Sequence, residues 1–140
     1  IPTKSIPQGI TAITMFNYEA DVDANEETLK EALEMVKTGS VTYAVRDTEM
    51  DGIEIKEGNI LGLIEGKIKK VGSDVYELTE ELIEEMVTEE SELITLFYGA
   101  DSDKEKVSEI VQKLEEKYPD LDIQCYNGDQ PLYYFIVSVE

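Results

Sequence analysis

Hydrophobic residues recur at helical spacing in four stretches of the chain, three of them with clear start signals. In the first, Ser5 can cap and Pro7 suits the first turn; Ile10, Ile13, Met15 and Phe16 are expected to supply apolar contacts before the pattern ends near Asn17. In the second, Asp23 and Glu26 have capping-box spacing, Leu29, Ala32, Leu33 and Val36 repeat at i, i+3, i+4, i+7, and Gly39 is expected to stop the helix. The third opens with Asp74 and Glu77 at the same spacing and buries Val75, Leu78, Leu82, Ile83 and Met86. Ser102 is expected to cap the fourth, which buries Val107, Ile110, Val111 and Leu114 and ends at the Tyr118-Pro119 step.

Between the second and third helices the rhythm changes to short β-like runs with turn signals at Asp51-Gly52 and Glu65-Gly66. VTYAVRDT, IEIKEG, NILGLIEG and KIKKVG then form a small antiparallel meander. Further on, the apolar run ELITLFYG, the fourth helix and LDIQCY make a βαβ unit with a parallel pair, and Asn127-Gly128 leads to the last strand, PLYYFIVSVE. The expected fold class is α/β: helices packed on a mixed sheet, in one domain spanning residues 1–140. A chain opening on Ile rather than Met suggests an excised piece of something longer.

Charge narrows the partners. A formal net charge of -20 repels phosphodiester backbones and anionic lipid, so nucleic acid and membrane insertion are not expected. One cysteine forms no internal disulfide; Cys125 shares a strand face with Leu121 and Ile123 and reads as a small buried hydrophobe. No histidine is present, which removes Ser-His-Asp and Cys-His catalysis and the usual zinc sites. DVDANE and DSDKEK imitate calcium loops, yet the sixth-position glycine is missing and the twelfth positions are Ala32 and Gln112; they read as turns that lead into helices. Neither a P-loop nor G-x-G-x-x-G occurs, so no phosphate cradle is visible. Glu77, Glu80, Glu81, Glu84 and Glu85 line the third helix, either as a solvated face or as a dock for a basic partner.

Arg46 is the only arginine, placed on the 41–48 strand next to Asp47 and Thr48. Either it pairs with neighbouring carboxylates, or its planar fork holds a carboxylate, phosphate or carbonyl bidentately where lysine would not serve. PTKSIPQG poses a similar choice between an anion-suited loop and a tight approach to the first helix.

PTKSIPQGI, VKTGSVTYAVRDTEMDGIEIKEGNILGLIEGKI and YNGDQPLYYFIVSVE together resemble the C-terminal domain of the fatty acid kinase large subunit. That family is also labelled YloV-like, or dihydroxyacetone-kinase-like with a DhaL fusion. The resemblance spans essentially the whole chain. It implies a bacterial, cytoplasmic protein whose N-terminal DhaL-like domain binds ATP and magnesium, followed by a middle domain and this one. A separate DegV-like protein presents the fatty acid, and the product is an acyl phosphate.

By that resemblance this fragment is non-catalytic, needs no cofactor of its own, and binds or positions the loaded DegV-like protein. Its fold is expected to be similar to the second lobe of the DegV-like fold, with residues 1–20 the end of a missing first lobe. At positions matching the family's blocks, Lys4, Gln8, Arg46, Asp47 and Thr48 are the candidates for contact or ligand positioning. Three alternatives stand beside this reading: a sensor or carrier for a small carboxylate or phosphate, a purely structural module, and a part of a small-ketose kinase. Oligomeric state is left open.

Overall fold

The computed structural model describes residues 3–50 and 52–140. Its elements run α1 (Ile6–Met15), α2 (Val22–Glu34), β1 (Lys37–Tyr43), β2 (Thr48–Met50), β3 (Ile53–Ile55), β4 (Ile60–Ile64), β5 (Lys67–Gly72), α3 (Val75–Met86), β6 (Leu93–Tyr98), α4 (Lys104–Lys117), β7 (Asp122–Asn127) and β8 (Tyr133–Val139). Six strands form one sheet in the order β5-β4-β1-β8-β6-β7, while β2 and β3 make a separate ribbon. Among the described residues only β6 and β7, joined through α4, are parallel; the other pairs are antiparallel. The mixed α/β architecture is therefore the one the pattern implied, but IEIKEG leaves the expected meander: β3 pairs with β2 in the separate ribbon, and β1 pairs directly with β4.

The main core lies on one face of the sheet. Val41, Leu96, Phe135 and Val137 are fully buried there against Leu82 and Ile83 of α3, with Ile110 of α4 in the same cluster. On the opposite face the β2-β3 ribbon covers a second, smaller cluster of Ala44, Ile55 and Ile68 with Leu61, Leu63 and Val71 around it.

Gly39 does not stop a helix. α2 ends at Glu34, and Gly39 sits inside β1, where a Cβ would come within 2.6 Å of the Met86 sulfur. A side chain there would press on the Met86 and Leu82 side chains, so this glycine lies at a close approach of β1 and α3 rather than at a helix end. The Glu65-Gly66 turn does form as expected, with φ of 52° and 78° at the two positions joining β4 to β5. Asp51 of the other turn signal lies outside the described residues; Gly52 has φ 79°.

Two caps differ from the sequence expectation, for local reasons. Asp21, not Asp23, caps α2 by accepting from the Ala24 amide. Asn25 fixes this start: its Nδ2 donates to Asn17 and Ala20 carbonyls and its Oδ1 accepts from the Asn17 amide, so the connecting loop is closed before residue 21. Asp103, not Ser102, caps α4, because the Ser102 hydroxyl donates to the Tyr134 carbonyl instead. In both cases the turn leads into a helix, as read from DVDANE and DSDKEK.

The strand expected over 41–48 ends at Tyr43. Ala44 is buried in the second cluster and bonds the turn at Gly58 and Asn59, which carries the chain out of the large sheet before β2 begins.

Reaching β8 from the edge strand β7 requires the chain to cross the end of β6. Residues 128–132 make that crossing, with the Gln130 side chain donating to the Phe97 carbonyl and the Ala100 amide to the Gln130 carbonyl. Gly99 lies directly beneath: a Cβ there would collide with the Tyr133 carbonyl oxygen and sit 2.8 Å from that of Gln130. Both obstacles are backbone, which cannot rotate away. Gly99→Ala is expected to destabilise the fold by about 1–3 kcal/mol, read as a lower urea midpoint at unchanged slope. A wild-type midpoint would show that the crossing loop is free to move.

Candidate functional site

α1 is held on the sheet through polar contacts. Ser5 caps the helix by accepting from the Gln8 amide, and its hydroxyl also meets that of Thr38 on β1 at 2.8 Å. The Gln8 side chain accepts from the Lys4 amide and donates to the Leu33 carbonyl, tying α1 to the end of α2. The Thr11 hydroxyl donates to the Glu140 carboxylate. Inward-facing Pro7, Gln8 and Ala12 are buried, while Ile6, Ile10 and Ile13 are 64%, 45% and 78% exposed. The expectation that Ile10, Ile13, Met15 and Phe16 make its packing contacts is thus corrected: all four are exposed. This helix is fastened by hydrogen bonds and turns its apolar side out.

Beside α1, on the sheet face away from the main core, lies an open groove of about 460 Å³. Leu93, Phe97 and Tyr126 give it an apolar wall, and Ile10 forms part of its rim. Its polar groups are neutral, Thr14, Thr95, Gln124 and Ser138 among them; among the described residues the one charged lining side chain is Glu140, already engaged by Thr11. Such a lining suits an uncharged, apolar surface and opposes an anion. Apart from the α1 stretch, no sequence signal points here, because alternation on β6 and β7 does not say which sheet face is left uncovered.

The candidate residues fall into two groups. Lys4 and Gln8 lie together at the start of α1, near Thr38 at the beginning of β1; Gln8 is buried and its side chain is occupied by the contacts above. Arg46, Asp47 and Thr48 lie just past the other end of β1, all exposed. β1 separates the groups by roughly 20 Å at 3.3 Å per residue. They do not converge on one site.

The Arg46 loop is nonetheless well fixed. The Asp47 carboxylate accepts from the Glu57 amide at 2.7 Å, and Ala44 exchanges backbone bonds with Gly58 and Asn59. Among the described residues Arg46 forms no ion pair, despite the surrounding acidity. Val45 beside it is 68% exposed. An exposed guanidinium therefore projects from an anchored bend.

The acidic face of α3 is largely engaged within the domain. Lys70 of β5 lies 3.3 Å from both Glu81 and Glu85, Lys113 of α4 lies 3.2 Å from Glu80, and Lys117 pairs with Glu84. Hydrogen bonds to Glu81 and then Glu85 hold the Lys70 ammonium above the usual lysine range. These carboxylates face β5 and α4 across exposed ion pairs. At 0.5 M salt such exposed pairs are screened, and the thermal midpoint is expected to stay essentially unchanged. A clear fall in the thermal midpoint would mean that they hold the helices in place.

α2, α3 and α4 are capped by Asp21, Asp74 and Asp103, so carboxylates already occupy the helix starts where phosphate would bind. Cys125 packs on the main core, and burial pushes its thiol up, away from a reactive thiolate. Among the described residues no helix is long and apolar enough to cross a membrane.

The FakA-like C-terminal family of fatty acid kinases matches residues 1–140. An uncharacterized protein of Staphylococcus saprophyticus is 46% identical over the whole chain, and one of Staphylococcus aureus is 42% identical. The chain spans about a quarter of the length of these relatives, 25% and 26%. Among solved structures, the fatty acid kinase B3 protein of Streptococcus pneumoniae, loaded with linoleic acid, superposes with a TM-score of 0.65 at 8% identity, over 96% of this chain and 54% of that one. A fatty-acid-binding DegV family protein of Thermus thermophilus gives 0.54 at 11% identity, over 96% and 56%. The fold is thus DegV-like, and this chain matches about half of it.

Proposed function

Because the chain belongs to the FakA-like C-terminal family of fatty acid kinases, we infer that it is a non-catalytic domain that docks a fatty-acid-loaded DegV-like protein. The docked protein is held so that a kinase domain elsewhere on the longer polypeptide can phosphorylate the fatty acid carboxylate. The observation that carries this reading is the match over residues 1–140. Holding two reactants together replaces a bimolecular encounter, which is a large kinetic gain without chemistry from this domain.

The Arg46 loop is the docking element in this reading. A partner that arrives loaded and leaves empty needs a contact that breaks easily, and transient interfaces are polar and modest in size. Arg46 pairs with no described carboxylate and can offer its fork to a carboxylate or carbonyl of the partner, and Asp47 and Thr48 lie beside it on the same fixed bend. Lys4 is exposed at the far end of β1 and could meet a partner wide enough to span the strand. Gln8 contributes indirectly, by keeping α1 in place. A carrier role for a small anion finds less support, since the charge lining the groove is a carboxylate.

Adding an excess of the 140-residue chain to a full-length kinase of this family tests the reading. It is expected to inhibit phosphorylation competitively with respect to the loaded partner and to turn over no ATP itself. Unchanged rates at a hundred-fold excess would reject the docking role.

A further inference from the structure

We propose that the outward face of α1, with the groove beside it, is the seam against the polypeptide that immediately precedes this domain in the longer family members. Residues 5–18 contain no charged side chain, in a chain where 31% of residues are charged. Ile6, Ile10 and Ile13 point outward from this stretch, and Phe16 stacks edge-on with the 91% exposed Tyr18 at its end. A surface helix normally shows the reverse arrangement, apolar side in and charge out. Contiguous exposed apolar surface of this kind marks an interface.

Three observations select the occupant. The family is a C-terminal one and the relatives are about four times as long, so polypeptide precedes this domain in the longer family members and joins it next to α1. The solved DegV-like structures are covered only to 54% and 56%, which leaves the other half of that fold without a counterpart here. Charge then disfavours a second copy, since two chains of net charge -20 repel each other, whereas a covalently linked segment is present at an effective concentration in the millimolar range. The occupant is accordingly an apolar, uncharged surface of the preceding segment. An apolar seam fits a permanent contact, unlike the polar Arg46 loop, so the two surfaces have separate tasks.

Hydrogen exchange of α1 in the full-length polypeptide and in the 140-residue chain tests this, without fatty acid or partner present. Amides of residues 8–15 are expected to exchange at least tenfold more slowly in the full-length protein. Ile10→Glu with Ile13→Glu is expected to remove that protection and expose dye-binding apolar surface in the full-length protein, while leaving the thermal midpoint of the 140-residue chain unchanged. Equal exchange in the two proteins would overturn the proposal. So would protection that rises with the concentration of the 140-residue chain, which would assign the face to a second copy, or protection that appears only on adding the loaded partner. Because no partner is used in the first comparison, failure of the docking role would leave its outcome unaffected.

Discussion

Phe135→Ala is expected to cost about 3–5 kcal/mol, a large part of the ~5–15 kcal/mol that holds a typical domain together. Phe135 lies on β8, between β1 and β6 in the middle of the sheet, and is 0% exposed. Its ring meets Tyr76 of α3 edge-on at 6.0 Å, and the Tyr76 hydroxyl accepts from the amide of Asp103, the cap of α4. Lys106 of α4 lies over the same tyrosine ring, 5.1 Å from its centroid. Removing the phenyl ring leaves a cavity and also loosens the aromatic residue that links α3 to the start of α4. Urea unfolding followed by circular dichroism measures the loss. A cost below about 1 kcal/mol would mean that the core collapses around the gap, against the close packing seen between the sheet and α3.

Arg46→Ala is expected to leave stability unchanged and weaken binding of the loaded DegV-like protein about 30-fold, the ~2 kcal/mol typical of an arginine hot spot. Both halves follow from the same geometry. An exposed side chain with no ion pair among the described residues supports nothing inside the domain, yet its bend is fixed by Asp47 and Glu57. Arg46→Lys separates charge from shape: a bidentate contact is expected to lose most of its affinity with lysine, a simple charge contact very little. Unaltered affinity in both variants would move the docking surface away from this loop.

Most of the scaffold is legible in the sequence because it depends on local rules. The capping of α3 by Asp74, the Glu65-Gly66 turn and the parallel β6-α4-β7 unit all follow from spacing and turn chemistry. Misreadings arise where tertiary contacts decide between two locally acceptable choices. Ser102 and Asp103 can both cap α4, and the Tyr134 carbonyl claims the first; Asp21 and Asp23 can both cap α2, and Asn25 closes the loop ahead of Asp21. Gly39 is a plausible helix stop until the sulfur of Met86, far along the chain, is seen to need its space.

The site is harder to read for a different reason. Helical periodicity identifies an apolar stripe on α1 but assumes that it faces this domain's own core, and here it faces outward. The signal that could reveal this is the absence of charge from residues 5–18, which is visible in the sequence. The groove has no such signature, since Leu93, Phe97 and Tyr126 alternate just as half-buried strand residues do. For Arg46, its uniqueness marks the position, but only the structure places the guanidinium on an anchored bend, unpaired with any described carboxylate.

The most direct measurement is a calorimetric titration of the 140-residue chain with a fatty-acid-loaded DegV-like protein, at low and high salt. A saturable one-to-one isotherm at low salt that weakens at high salt is the predicted result. Flat traces at both salt concentrations, from a folded chain and a loaded partner, would contradict a docking domain.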